Sequence, residues 1–384
     1  MSNNTQPDIT AQRPRYELLD GLRGVAAVLV IWYHFFEGFA TSAVDQMINH
    51  GYLAVDFFFV LSSFVLGYAY DAPMRSHRLS TGSFIVRRII RLQPLVVLSV
   101  LLGAAAYLLQ GSVRWDGTPV PLHQVLTALL LGLFMIPVLP GAGAEVRGNG
   151  EMFPLNGPGW SLFFEYIGSI IYATVLYRLG RRALACITVA AALCLAYTAF
   201  GNMSGAYHLG VGWSMADYGF WGGFSRLVFS FSAGLLIQRC FKPRHIKGAF
   251  WLCSALLCAI LACPYMGSST EPSVFNALYD IVCTIFFFPA IVWLGACGTT
   301  TDRTSTRLCN LLGSISYPVY IVHYPVMYLF YAWVWAGNRN FAEVWPVCAG
   351  LFVLIIFMAW CAMRFYDTPV RRYLTERLKK ERTT

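Results

Sequence analysis

Two polar side chains, Arg23 and His34, lie in one apolar segment with ten residues between them, LDGLRGVAAVLVIWYHFF. Eleven helical steps of about 100° bring both side chains to nearly the same face, about 16 Å apart along the helix axis. Because strongly polar groups inside a membrane helix are costly, they usually face a cavity or a partner. The pair therefore predicts a polar route into the bilayer, with a positive charge near its mouth and a titratable ring deeper in.

A carboxylate follows in the second apolar run, where Asp56 lies among aromatic side chains in GYLAVDFFFVLSSFVLGY. Such a carboxylate could orient a neighbouring imidazole and raise its basicity, so Asp56 is predicted to support His34. The alternative is an interfacial Asp near a helix start, where the macrodipole favours a negative charge.

Three arginines, Arg87, Arg88 and Arg91, precede Pro94 in SFIVRRIIRLQP. Their i, i+3 and i, i+4 spacings let them converge on one helix face. Guanidinium groups suit phosphate oxygens, so a basic mouth here would suit a nucleotide-bearing donor such as an acyl-CoA. The alternative is ordinary topology-setting charge in contact with lipid headgroups.

The fifth apolar run begins with NGPGWSLFFEYIG, which contains Trp160, Ser161 and Glu165. Ser161 and Glu165 share a helix face, and a glutamate in an apolar helix requires a cationic or hydroxyl partner. We interpret this set as acceptor-binding or supporting residues. The alternatives are a membrane-belt role for Trp160 and a structural ion pair between Glu165 and an arginine.

Near the end of the chain, GSISYPVYIVHYPV places Ser316, Tyr320 and His323 on one helical face. Pro318 suits the first turn of a helix, so this pattern predicts that a helix begins here with Ser316 as its cap. Tyr320 and His323 join the supporting set, although His323 could equally be a packing histidine.

The elements that must position these residues are membrane helices. The 384 residues are 57% hydrophobic and 12% charged, against about 25% charged in a typical soluble protein. The chain is therefore predicted to be an all-α, polytopic membrane bundle. The N-terminal residues lack the features of a removable signal peptide. We count eleven apolar runs, at 19–39, 51–70, 93–110, 122–140, 159–177, 183–200, 218–238, 249–266, 277–297, 311–335 and 342–365.

Basic loops predict the orientation. The segment 71–92 contains five arginines and is predicted to be cytoplasmic, as is the basic C-terminal end. Eleven crossings conflict with two cytoplasmic termini, so we expect ten spans and one re-entrant or partial segment, most consistent with the proline-flanked run 122–140. One membrane domain should cover 16–374, between cytoplasmic tails at 1–15 and 375–384.

The composition also argues against two other classes of site. The net charge of +9 is divided among short loops and the C-terminal end, a pattern that indicates contact with anionic lipids rather than nucleic acid. The eleven cysteines lie mostly in apolar runs without metal-ligand spacing, so we predict no metal site.

Six segments in this order resemble the acyltransferase-3 family of membrane acyltransferases, which modify bacterial surface and secreted glycans. They extend over residues 16–374. The sequence departs from the family pattern at Ser63, where Gly is usual, and at Asp367, where Glu is usual. The matching segments are LDGLRGVAAVLVIWYH, GYLAVDFFFVLSSF, FIVRRIIRLQP, GWSLFFEY, SISYPVYIVHYP and FYDTPVRRYL.

The resemblance implies transfer of an acyl group, most often acetyl from acetyl-CoA, to a hydroxyl of a glycan or a lipid-linked saccharide in the bacterial inner membrane. Arg23 and His34 match the family's Arg-x10-His pair, and Arg88 and Arg91 match its RxxR pair. His34 would be the general base or a transient acyl carrier, and the arginines would bind acyl-CoA, the donor substrate, with no permanently bound cofactor. The soluble hydrolase-like domain of many relatives is not expected in this chain.

Two other functions fit parts of the sequence. The acceptor could be a small molecule such as a macrolide, which related proteins also modify. Intramembrane Arg, Asp, Glu and His also suit a proton-coupled transporter or flippase, although paired interrupted helices and two-half symmetry are not evident. The motifs leave the acyl chain open between acetyl, succinyl and longer groups.

Overall fold

A computed structural model describes residues 16–42, 44–268, 270–300 and 302–380, and within them the chain is helical without a β-strand. The predicted tail at 1–15 and the last four residues lie outside the described part. Short π-helical segments join α9 to α10 and α12 to α13. The helices are α1 (Glu17–Glu37), α2 (Ala54–Arg75), α3 (Thr81–Leu109), α4 (Leu122–Leu133), α5 (Gly159–Thr174), α6 (Arg181–Phe200), α7 (Gly219–Cys240), α8 (Ala249–Leu261), α9 (Phe275–Val282), α10 (Phe288–Cys297), α11 (Arg303–Ala336), α12 (Phe341–Cys361) and α13 (Thr368–Lys380).

The helices confirm the predicted class, a polytopic helical membrane protein. In the described residues, eight continuous helical segments are long and apolar enough to cross a membrane. Two of the ten expected spans are shorter, because α5 has 16 residues and α8 has 13. At 1.5 Å per residue, α4 with its 12 residues and α8 with its 13 extend only about 18 and 20 Å, less than a hydrocarbon core of about 30 Å. The short helix in the run 122–140 is compatible with the expected partial segment, and the count of ten spans stays a prediction.

Glycines allow α1 and α11 to approach each other closely. A Cβ atom added to Gly24 would lie 2.5 Å from Leu312 of α11, and one added to Gly21 would lie 2.7 Å from the sulfur of Cys309. Small residues at such crossings let helix backbones meet in a membrane. The glycines that flank Arg23 in LDGLRG therefore fix the distance from this arginine to α11.

Helix α11 begins much earlier than predicted. The side chain of Asp302 accepts a hydrogen bond from the backbone N–H of Ser305 at 2.7 Å and caps the helix, so Ser316 and Pro318 lie in its interior. The predicted start at Pro318 was wrong because the Asp302 cap starts the helix earlier, and Leu308, Leu312 and Ile315 already give this stretch an apolar face. A second proline, Pro325, cannot donate to the carbonyl of Ile321, which accepts from Asn156 at 3.3 Å instead.

Two further features of the sequence are explained by packing. Ser63 faces Gly234 of α7, whose missing Cβ leaves room for the Ser63 hydroxyl, and the hydroxyl donates to the carbonyl of Val60 at 3.0 Å. The expected boundary at residue 375 falls inside α13, which continues to Lys380. Residues 375–380 therefore continue a helix that begins within the predicted membrane domain.

Candidate active site

A cavity of about 1060 Å³ opens between α1, α2, α3, α5, α11 and α13. Its lining follows α2 from Val55 to Tyr70, a distance of about 22 Å at the helical rise per residue. Among the described residues, seven basic and three acidic side chains line it, and we call it the arginine cavity. The basic residues are Arg23, Arg87, Arg88, Arg91, Arg371, Arg372 and Lys379, and the acidic residues are Asp20, Glu165 and Glu376.

Arg23 is fixed against α11 by hydrogen bonds. Its Nε donates to the Ser316 hydroxyl at 2.8 Å and one terminal nitrogen donates to the carbonyl of Gly313 at 3.1 Å. The same nitrogen lies 3.0 Å from the carboxylate of Asp20. Arg23 therefore lines the cavity in a fixed position at the α1–α11 crossing.

Arg88 and Glu165 form an ion pair across the cavity. A terminal nitrogen of Arg88 lies 2.5 Å from the Glu165 carboxylate, and its Nε donates to Ser169 at 3.2 Å. The hydroxyl of Ser62 donates to the same carboxylate oxygen at 2.9 Å. Glu165 thus has the structural partner that its position in an apolar helix requires.

Arg87 and Arg91 differ from these arginines because neither has a carboxylate within ion-pair distance among the described residues. The Nε of Arg87 is buried and has no hydrogen-bond partner in that part of the chain. The guanidinium of Arg91 lies 6.0 Å from the Tyr317 ring, and the charges of Arg371, Arg23 and Arg88, partly offset by Asp367, act on it. A cluster of partly buried like charges favours an anionic ligand.

Helix α13 adds basic residues that the sequence argument assigned to a tail or left out. Arg371, Arg372 and Lys379 line the cavity. Arg371 is held by Asp367 at 3.0 Å, and Arg372 pairs with Glu376 at 3.0 Å. Helical spacing of these cations and of Thr375 could have revealed that α13 presents one polar face to a site.

The end of the cavity farthest from the arginines is formed by residues of α2, α5 and α11. These residues lie one helical turn beyond the level of the Arg88–Glu165 pair. The hydroxyls of Ser161 and Tyr320 share a hydrogen bond at 2.7 Å, and the Tyr320 ring makes an edge contact with Phe58 at 5.5 Å. Trp160 lies outside the lining and packs its ring 5.2 Å from the guanidinium of Arg226. Of the predicted supporting set, Ser161, Glu165 and Tyr320 meet in the cavity, and Trp160 does not.

His34 lies beyond this end and pairs with a carboxylate that the sequence argument missed. Its Nδ1 lies 2.7 Å from the Glu37 carboxylate, which also accepts from the hydroxyl of Tyr331 at 2.8 Å. The ring of His34 lies 5.3 Å from that of His323. The i, i+3 spacing of His34 and Glu37 was the available signal, because residues at this spacing meet on a helix.

His323 is fully buried next to His34. Its Nδ1 lies 3.1 Å from the carbonyl of Val319, and its Nε2 is buried with no hydrogen-bond partner in the described structure. Neither histidine lines the arginine cavity, whose end at Tyr320 lies 6.1 Å from the His323 ring. Histidines and arginines therefore occupy successive levels of the same bundle.

The predicted pairing of Asp56 with His34 was wrong. Both Asp56 and Arg226 are fully buried, and they are joined by hydrogen bonds of 2.7, 3.1 and 3.2 Å. Arg226 also donates to the backbone carbonyls of Val211 and Tyr52. A buried carboxylate requires a cationic partner, and Arg226 of α7 is that partner for Asp56. Arg226 was not considered when Asp56 was assigned from the sequence.

Comparisons with known proteins agree with this architecture. A family model described as an acyltransferase domain matches residues 16–363. "Protein 2 in picA locus" from Rhizobium radiobacter is 38% identical over 176 residues, which cover 44% of this chain and 84% of that protein. "Putative peptidoglycan O-acetyltransferase YrhL" from Bacillus subtilis (strain 168) is 27% identical over 398 residues, 95% of this chain and 58% of that protein. The chain thus spans little more than half the length of the second relative.

No solved structure matches the chain significantly. The family model covers nearly the whole chain, and the helices provide the membrane bundle that the motifs predicted. The resemblance seen in the six sequence segments is therefore confirmed. The protein belongs to the acyltransferase-3 family and is a multi-pass membrane acyltransferase.

Proposed function

We propose that this protein transfers an acyl group, most often acetyl, from cytoplasmic acyl-CoA to a hydroxyl group of a cell-surface or exported glycan. The observation that carries the proposal is the succession of an arginine-rich cavity and, beyond its end, the His34–Glu37 pair. The bacterial inner membrane is the location that suits both substrates, with the arginine-bearing ends of α1 and α3 on the cytoplasmic side.

The donor assignment follows from charge and shape. Coenzyme A carries several phosphate negative charges at one end and the thioester at the other. The arginine cavity offers Arg87 and Arg91 without carboxylate partners among the described residues, and its lining extends about 22 Å along α2. The nucleotide would bind among the arginines, and the pantetheine arm would extend towards Tyr320.

The reaction requires a base, because a sugar hydroxyl is a poor nucleophile at neutral pH. With Nδ1–H directed at Glu37, the Nε2 of His34 is left to accept the hydroxyl proton while the sugar oxygen attacks the thioester carbonyl. The ester C–O bond forms, the C–S bond breaks, and the CoA thiolate leaves and takes up a proton.

His34 could also carry the acyl group. Its Nε2 would attack the thioester carbonyl, the C–S bond would break and CoA thiolate would leave, giving an acyl-imidazole. The sugar oxygen would then attack the acyl carbon, the C–N bond would break, and the hydroxyl proton would pass to the released imidazole nitrogen. Both routes need the same tautomer, so the contact with Glu37 supports either of them. Incubation with labelled acetyl-CoA without acceptor separates them, because only the second route leaves label on the protein.

The acceptor class is the least constrained part of the proposal. The Bacillus subtilis relative is named as a peptidoglycan O-acetyltransferase, and this supports a glycan acceptor for the present chain. Membership of an acyltransferase family argues against the transporter alternative.

The donor site is tested by Arg91→Ala with two donors. We expect the KM for acetyl-CoA to rise by at least about tenfold, since a hydrogen bond between charged groups contributes about 1.5–3 kcal/mol. The KM for acetyl-pantetheine, which lacks the nucleotide phosphates, should not change. Thermal stability should change little, because Arg91 has no carboxylate within ion-pair distance among the described residues.

Lys247→Ala is the matched control, because Lys247 is an exposed cation that does not line the cavity. It should leave the KM for both donors unchanged. An equal rise in KM for both donors in Arg91→Ala, or no rise for either, would exclude the arginine cavity as the nucleotide site.

A further inference from the structure

The end of the arginine cavity has a different chemical character from its mouth. Four apolar side chains line it, and the hydrogen-bonded hydroxyls of Ser161 and Tyr320 are its polar groups. Among the described lining residues, the cationic side chains belong to α1, α3 and α13 and lie nearer the mouth of the cavity. The apolar residues are Val55, Phe58, Phe59 and Leu162.

This end lies one helical turn beyond the level of the Arg88–Glu165 ion pair, along each of α2, α5 and α11. Ser62 and Glu165 belong to the level of the Arg88 ion pair, and Ser316 binds Arg23. Four residues further in, about 6 Å along each helix, are Phe58 on α2, Ser161 on α5 and Tyr320 on α11. They form one layer, which we call the end layer.

We infer that the end layer holds the acyl group and restricts it to a short, uncharged chain, with Phe58 as the residue that determines specificity. This inference rests on the proposed function, because it assumes that acyl-CoA occupies the arginine cavity. The thioester would lie next to the Ser161 and Tyr320 hydroxyls, and the acyl carbons would meet the Phe58 ring.

Phe58 is the residue best placed for this role. Phe59 is 2% exposed and Val55 is 6% exposed, so their side chains are largely enclosed by neighbouring helices. Phe58 is only partly buried, lines the cavity, and is held edge-on against Tyr320. Its ring therefore occupies space that additional methylene groups would need.

The same surface disfavours a charged acyl group. A succinyl chain would place its terminal carboxylate against Phe58, Val55 and Leu162, where a buried charge without a partner is costly. The cations at the adjacent level, Arg88 and Arg23, already form ion pairs with Glu165 and Asp20. Acetyl is the group that fits this end layer best.

The test compares acetyl-, butyryl- and succinyl-CoA as donors with wild-type protein and Phe58→Ala in the same membranes. The wild type should prefer acetyl-CoA to both others. In Phe58→Ala the ratio of kcat/KM for butyryl-CoA to that for acetyl-CoA should rise by at least about tenfold, since a methylene in a shaped pocket contributes a factor of about 10 or more. Phe58→Leu, a milder change that keeps an apolar side chain, should shift the ratio in the same direction by less.

Phe57→Ala is the control for loss of packing, because Phe57 is fully buried on the same helix and does not line the cavity. It should lower the amount of folded protein without changing the donor ratio. An unchanged ratio in both Phe58 variants, or efficient use of succinyl-CoA by the wild type, would overturn the inference and leave the proposed function standing. If the wild type transferred no acyl group from any of the donors, the proposed function would fail, and the inference with it.

Discussion

Replacing Asp56 with alanine would leave the guanidinium of Arg226 buried without its counter-ion. Both side chains are fully buried, and three hydrogen bonds join them. Removing one partner of such a pair costs about 3–5 kcal/mol. An unfolding entropy of about 2.1 cal/mol/K per residue gives about 0.8 kcal/mol/K for 384 residues. The expected fall in Tm for Asp56→Ala is therefore roughly 4–6 °C.

The pair can be separated from its surroundings by a double-mutant cycle with Arg226→Met. The double variant removes both charges, so it should be more stable than the sum of the two single effects predicts, by at least about 2 kcal/mol. The double variant should still be less stable than the wild type, because the carbonyls of Val211 and Tyr52 lose the hydrogen-bond donor that Arg226 provides.

The assay is thermal unfolding of the purified variants, combined with acetyl transfer per folded protein at a temperature below every transition. We expect Asp56→Ala to lose stability and to keep most of its transfer rate, unlike His34→Ala. If Asp56→Ala unfolded like the wild type and lost transfer as completely as His34→Ala, Asp56 would be a catalytic group and the structural assignment would be wrong.

Three further changes give distinct outcomes. Glu37→Gln should lower kcat by at least about 100-fold with an unchanged KM for acetyl-CoA, because an amide no longer fixes the tautomer of His34; steady-state kinetics check this, and an unchanged kcat would contradict it. Gly24→Ala should lower Tm, since its Cβ would lie 2.5 Å from the facing helix, whereas Gly350→Ala meets nothing within 4 Å and should not. Burial, then the charges of nearby groups, lower the pKa of His208 to about 4, so the stability that its neutral ring contributes is complete above about pH 6.5 and is lost towards pH 4. His208→Gln should therefore flatten the fall in Tm over this range, and an equally steep fall in the variant would contradict the assignment.

Local patterns predicted much of the site. The spacing of Arg23 and His34 placed them on one face of α1, and the spacing of Ser161 and Glu165 did the same on α5, because both arguments need only the periodicity of a helix. The partial segment expected at α4 also followed from loop charge and proline positions. These inferences need only hydropathy and helical geometry, which act within one segment.

Side-chain contacts between different helices could not be predicted from the periodicity and hydropathy of single segments. Asp56 was assigned to His34 because both were polar residues in neighbouring runs, but the packing of α2 against α7 brings Arg226 to it instead. The start of α11 was misplaced since a side-chain cap at Asp302 outweighed the proline signal. Helical spacing could have indicated the basic face of α13, but only the packing of α13 against α3 shows that this face forms one wall of the arginine cavity.

The most direct measurement follows labelled acetyl from acetyl-CoA into glycan, using purified protein in vesicles and counting alkali-labile label in the saccharide. Wild-type protein and Lys247→Ala should form the labelled ester at equal rates. His34→Ala should form none while it unfolds at a temperature close to that of the wild type. Ester formation by His34→Ala at the wild-type rate, or the absence of labelled ester with wild-type protein and a competent glycan, would contradict acyl transfer from the arginine cavity through His34.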